Sequence, residues 1–267
     1  VPGRYVTLEI PDLPTRNPEL TNQASDILSR VLHNLDQLQP DQTVMVDGLG
    51  NWNVTPDSLG PKVIHNLVIT RHLLQLIPED VEEGVRPVCG LAPGVLGLTG
   101  IETGEIILGV IDRVKPDLLV AVDALAARSI ERVCTTIQLS DSGIHPGSGV
   151  GNNRLGITRE VLGIPVIAVG VPTVVEGATI ALDTIELLLE RLRGSGAAFD
   201  LKAIQGFDRR ERDLLIREVL SPYSANLVVT PKEIDTLIEE VSTLIAGGLN
   251  AAFHPSIDPE NLAMYTN

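Results

Sequence analysis

Aromatic side chains are almost missing from this sequence: one Trp, three Tyr and three Phe in 267 residues. A chain of this length can still bury a sizeable core, and with 43% hydrophobic residues that core must be aliphatic. Cysteine is as scarce. The two thiols, Cys89 and Cys134, form neither a CxxC pair nor a disulfide framework, which suits a reducing cytosol. Positive charge is in short supply too: 20 basic against 35 acidic residues leave a net charge of −15. That balance argues against a nucleic-acid partner, whose footprint is basic, and against docking on anionic lipid. Long apolar runs are lacking as well. Leu118–Val122 and Ile164–Val171 fall far short of the ~20 residues of a membrane span, and no basic-then-apolar opening suggests a secretory signal. The expectation is a cytoplasmic protein with no membrane and no nucleic-acid partner.

What is present is alternation. Arg4–Ile10 reads as a strand, and Asn22–Leu38 as a helix with Ile27, Leu28, Val31, Leu32, Leu35 and Leu38 on one face. Strands are expected at Thr43–Val46, Pro87–Leu91, Leu118–Val122, Val133–Gln138 and Pro165–Val171, and helices at Pro61–Leu76, Gly104–Val114 and Thr179–Leu192. Such alternation predicts an α/β fold, a three-layer sandwich with a mostly parallel sheet and helices on both faces. The polar, glycine-rich stretch Leu139–Arg159 is too long for an ordinary connection and is expected to border a functional crevice. After the linker-like GSGAAFD (Gly194–Asp200), helices are expected at Arg209–Val219 and Pro231–Ala246, the latter with a capping box of Thr230, Pro231 and Glu233. The whole of 1–267 reads as one domain, with 206–267 a C-terminal helical extension.

Ligands of open α/β sheets bind beyond the carboxyl ends of the strands. Two such ends carry acids. DGLGNWNVTPDSLGP delivers Asp47, Asn51, Asn53 and Asp57, and LLVAVDALAARS delivers Asp123. One carboxylate from each loop, facing one crevice, would make an acid/base pair or half a metal site. The plainer reading is that Asp57 caps a helix and Asp123 occupies a turn. Other motifs fail on inspection. GLGN is neither GxGxxG nor a P-loop. Asp141-Ser142-Gly143 copies the protease D-[ST]-G triplet, but in an α/β context rather than an all-β one. Ser148 in HPGSGVG lacks the first glycine of a nucleophile elbow. No HExxH spacing occurs, and of the histidines only His145 lies in the long polar loop, as a solvated side chain or as a neighbour of the carboxylates. Trp52 follows GLGN as a crevice wall or as core packing, and both thiols read as buried and structural.

Longer motifs are more particular. GLGNWNVTPDSLGP, APGVLGLTGIET, VAVDALAARSIERV and SDSGIHPGSGVGNNR, with VIAVGVPTVV and LSPYSANLVVTPKEID, together resemble the germination proteases of spore-forming bacteria. That resemblance implies a spore-core (cytoplasmic) endopeptidase that starts the breakdown of small acid-soluble spore proteins. It implies a self-processing zymogen and a homotetramer, on a fold similar to hydrogenase maturation endopeptidases. In those relatives the equivalent acids bind nickel; in the germination proteases they are taken to act as an atypical aspartic protease without cofactor. Residue by residue, the carried-over catalytic pair is Asp57 and Asp123, with Asn51 and His145 as accessory candidates. The family's segment ahead of PGRYVTLE, with its propeptide, is not in this sequence, and the linker near Gly194–Gly206 is shorter than the family pattern. The rivals are a metal-dependent endopeptidase using Asp57, Asp123 and His145, and a non-catalytic assembly module in which both acids only cap helices.

Overall fold

The computed structural model describes residues 2–15, 17–36, 38–39, 41–146, 155–194, 208–220 and 227–257. In chain order these form β1 (Tyr5–Glu9), α1 (Pro18–Asp36), β2 (Val44–Gly48), α2 (Leu59–His65), α3 (Arg71–Leu76), β3 (Val88–Leu91), α4 (Leu96–Thr99) and α5 (Thr103–Val114). They continue with β4 (Leu118–Ala127), β5 (Thr136–Ser140), α6 (Arg159–Leu162), β6 (Val166–Glu176), α7 (Gly177–Gly194), α8 (Arg209–Leu220), β7 (Val228–Val229) and α9 (Ile234–Phe253). The fold is the expected α/β class, with one mixed sheet in the order β1-β5-β6-β4-β2-β3 and β7 paired to β6. The four strands β6-β4-β2-β3 are parallel, and the strands added at the β6 side are antiparallel.

Parallel strands buried on both faces need continuous apolar runs, and β2, β4 and β6 supply them. Val44, Val46, Val120 and Val122 face α1 and α9, which bring Leu28, Leu32, Ile238, Val241 and Leu249 into one core. Met45, Leu119, Ala121 and Val166 face the opposite way, onto Ile107 and Ile111 of α5. The stripe of α1 is narrower than the sequence pattern suggests: Leu28 and Leu32 are fully buried, whereas Ile27 is 45% exposed. Helix α1 meets α9 closely, because a Cβ on Gly248 would come 2.7 Å from Leu28.

Three expected elements differ, each because a tertiary bond outcompetes a local one. Pro61–Leu76 is two helices rather than one. Between them Val68 N–H donates to Asn250 Oδ1 of α9 at 2.9 Å, and Thr70 Oγ1 accepts from Val88 N–H of β3 at 3.0 Å. The capping box of the last helix does not form: α9 starts at Ile234, and the Thr230 hydroxyl donates to the Thr173 carbonyl of β6 instead. The strand expected from Val133 begins only at Thr136, because Cys134 takes a left-handed backbone (φ 54°) to donate its N–H to Pro172 O at 2.7 Å. The glycine-rich stretch 147–154, which includes Ser148, and the linker 195–207 lie outside the described residues. Among the described residues no helix is long and apolar enough to cross a membrane.

Candidate active site

Two glycines let β2 end where it does. A Cβ on Gly48 would lie 2.2 Å from Gly60 O, and one on Gly60 would lie 2.3 Å from Leu49 O, so α2 packs backbone to backbone against the strand end. Gly50 then turns the chain with φ +114°, where an added Cβ would sit 2.0 Å from Asp57 O. The loop folds back on itself from there. Asn51 N–H donates to both Asp57 O (3.0 Å) and Asp57 Oδ2 (2.9 Å), Val54 N–H to Asn51 O (3.1 Å), and Asp57 N–H to Val54 O (2.8 Å). Asp57 thus lies in a 3-10 turn, Thr55–Asp57, with its carboxylate held by a backbone donor. It is not a helix cap: the residue before α2 is Ser58, whose side chain makes no capping bond.

Asp123 is placed by the adjacent strand. Gly48 is the last residue of β2 and pairs with Val122, so Asp123 stands one step beyond the point where β2 stops. It is not at a strand end in its own right, since β4 runs on to Ala127. Asp123 is 8% exposed, and its Oδ1 accepts the Ala124 N–H at 2.9 Å. Gly170, its register partner on β6, lacks a side chain where Leu125 folds over, since a Cβ there would lie 2.4 Å from Leu125 Cδ1.

Asp57 and Asp123 line one cavity of about 590 Å³. Its walls include Gly50, Val54 and Pro56 from the loop after β2, and Gly94 and Val95 from the loop after β3. His145 and Pro146 border it too, so the part of the long polar loop that is described does reach the crevice. His145 is steered there by the paired bonds between Ile144 and Ile157 (2.9 and 2.8 Å) and by Gly156, where a Cβ would come 2.7 Å from the imidazole. Asn51 does not line the cavity. Its side chain accepts Asn53 N–H at 3.0 Å and shapes the loop, while its backbone N–H holds Asp57. Trp52 is neither wall nor core: it is 53% exposed and rests edge-on against His65.

Sequence reasoning did not single out Arg128 and Arg132, which line the same cavity. The signal available was their place in VAVDALAARSIERV, just after Asp123. It also treated Asp47 as a loop residue. Asp47 instead lies within β2, fully buried, and neither carboxyl oxygen has a hydrogen-bond partner among the described residues. Burial pushes it up to about 8, so it carries its proton at neutral pH. Cys134 is buried as expected, whereas Cys89 is only half-buried; burial still raises both to about 11, with Arg71 opposing and Asp47 adding to the rise at Cys89, so both thiols are protonated. Among the described residues no group of three or more His, Cys, Asp or Glu side chains converges as a metal-ligand set.

A carboxyl pair opening on one cavity can hold a water between an acid and a base, and an apolar wall beside it can hold a chain. The sequence profile of the germination proteases matches residues 1–202 and 198–266. The germination protease of Clostridium tetani is 47% identical over 268 residues, covering 99% of this chain and 83% of its own. That of Caldanaerobacter subterraneus is 51% identical over 262 residues, covering 97% and 81%. That of Bacillus licheniformis is 47% identical over 300 residues, covering 99% and 82%. With near-complete coverage at this identity, and with the glycine turns and both acids built into one site, the chain belongs to the germination protease family.

Proposed function

We propose that this protein is an endopeptidase of the atypical aspartic type, acting on small acid-soluble spore proteins through Asp57 and Asp123. The observation that carries the reading is the convergence of these two carboxyls, from the loop after β2 and from the middle of β4, on one cavity. One carboxylate takes a proton from water as it attacks the scissile carbonyl, and the other, protonated, donates to the carbonyl oxygen. The backbone donors Asn51 N–H and Ala124 N–H each hold one of the carboxylates in place, so the acids are oriented before substrate arrives. His145 is a neighbour at the cavity rim, and Asn51 a positioning residue. The family resemblance supports a homotetramer of the spore core derived from a zymogen, and light scattering on the purified protein would test the oligomeric state.

The deciding experiment incubates the protein with a small acid-soluble spore protein and reads fragments by mass, with and without chelator. Cleavage that resists chelator and is lost in folded Asp57→Asn and Asp123→Asn proteins is the expected result. Wild-type rates in either variant would remove that residue from the mechanism. Loss on chelation with recovery on metal addition would transfer the chemistry to a metal.

A further inference from the structure

The sheet is unequal in length at the site. On one side β4 pairs with β6 along its whole C-terminal half, up to Ala127. On the other side its neighbour β2 stops at Gly48, opposite Val122, and the last bond across that side runs from Leu49 N–H to Val122 O at 2.8 Å. Beyond it, Ala124–Ala127 have no strand on that flank among the described residues. Ala124, Leu125 and Ala126 are half-buried rather than covered. What lies alongside them is the cavity, whose walls include all four residues.

We infer that the substrate polypeptide binds as an added β-strand along the open edge Ala124–Ala127, in the lane that β2 leaves empty. The inference rests on the reading of this cavity as a peptidase site. Side-chain and backbone directions alternate along a strand, so Ala124 presents its N–H and C=O to the same flank as Val122, towards the missing strand. Its N–H is held by Asp123 Oδ1, which leaves the carbonyl facing the cavity. The edge of four residues spans roughly 13 Å at ~3.3 Å per residue, enough to align about four residues of an extended chain. Strand addition takes its affinity from main-chain bonds, which tolerate varied side chains. It would also set the chain's direction before chemistry: a strand in this lane runs past Asp123 with its peptide groups in the plane of the sheet. The register shift between Leu125 and Ala126 places the extra residue, Thr173, on β6, so β4 itself keeps its alternation along the open edge.

The test is made on the peptide, so the protein's fold is not disturbed. Fluorescently labelled, overlapping twelve-residue peptides covering one small acid-soluble spore protein are titrated by anisotropy against the Asp57→Asn protein, which should leave them uncut. Asp123→Asn serves if Asp57→Asn fails to fold by circular dichroism. The tightest binder is then remade with a single N-methyl group at each position in turn. Strand addition predicts a period of two: methylation at alternate positions facing the edge weakens binding tenfold or more, and at the positions between them less than twofold. A flat profile, or no binding by any peptide, overturns the inference. Wild-type digestion of the intact spore protein, run alongside, reports on the underlying reading. Digestion without the alternating profile overturns strand addition alone. An undigested spore protein overturns the substrate assignment, and continued cleavage by the Asp57→Asn protein overturns the aspartate pair, while the binding profile still decides the edge.

Discussion

Replacing Asp47 with Asn should stabilise the protein, and increasingly so as pH rises. Asp47 is fully buried in β2, makes no hydrogen bond with any described residue, and is raised from 3.8 to about 8. Below pH 3.8 the carboxyl is protonated in both folded and unfolded chains, and the site costs nothing extra. Between 3.8 and 8 the unfolded chain has released the proton and the folded one has kept it. Folding then takes up a proton, and stability falls as pH rises until the folded group also ionises. Each pH unit in that window is worth about 1.4 kcal/mol, so the loss between pH 5 and pH 8 is about 4 kcal/mol. That is a large part of the roughly 5–15 kcal/mol available to an ordinary domain. Asn has the shape of the protonated acid and cannot ionise, so the two proteins should converge at low pH and diverge above it. Urea unfolding followed by circular dichroism at pH 5, 6.5 and 8 would read the difference directly. A gap between variant and wild type that stays constant, or narrows, from pH 5 to pH 8 would refute the placement of Asp47 as an unpartnered, proton-bearing group.

Asp57→Asn and Asp123→Asn should each reduce spore-protein cleavage by about 10²–10⁴ or more, with the double variant scarcely worse than either single one; equal, multiplying losses in the double variant would deny that the pair acts as a unit. Gly50→Ala should destabilise by more than ~1 kcal/mol and impair cleavage, since φ is +114° and the new methyl meets Asp57 O, whereas Gly97→Ala, with open space around it, should stay within about 0.5 kcal/mol; similar melting temperatures for the two would refute the close approach. His254 is buried, packs its Nε2 3.3 Å from Val68 O, and is lowered to about 4. Between pH 4 and 6.5 its unfolded form binds the proton and its folded form does not, so it contributes a rise of stability with pH in that window. His254→Gln should flatten this rise in urea titrations, and an unchanged profile would count against it. Cys89 and Cys134 should react with a thiol reagent far more slowly in the folded protein than in urea, and rapid labelling of the native protein would contradict their raised values.

The parallel core was legible because its signal is redundant. Runs such as LLVAV and PVIAVGV must be buried on both faces, and only a sheet sandwiched between helices does that. Boundaries were less legible, because they are set by bonds to residues far away in sequence. Nothing within Pro61–Leu76 announces that Asn250 will capture Val68 N–H, or that Val88 will donate to Thr70. The Thr230–Glu233 pattern is a sound local cap, yet the Thr230 hydroxyl is turned to donate to the Thr173 carbonyl on β6, and α9 starts only at Ile234. Where local and tertiary partners compete, the sequence window holds only the local one.

The same distinction explains what was seen of the site. Asp57 and Asp123 were legible as acids following two expected parallel strands, but the spacing alone left them as plain as a cap and a turn, and the family resemblance singled them out. Their common cavity then follows from the registry of β2 against β4: Gly48 opposes Val122, so the turn that leaves β2 and the residue that continues β4 must meet. Asp47, one residue earlier on β2, obeys the opposite logic. A period of two turns its side chain into the sheet face that packs on α5, where only a neutral carboxyl can be accommodated. Two acids of one motif therefore divide between a dry core and an open cavity because Asp47 lies within β2 and Asp57 in the turn that folds back after it.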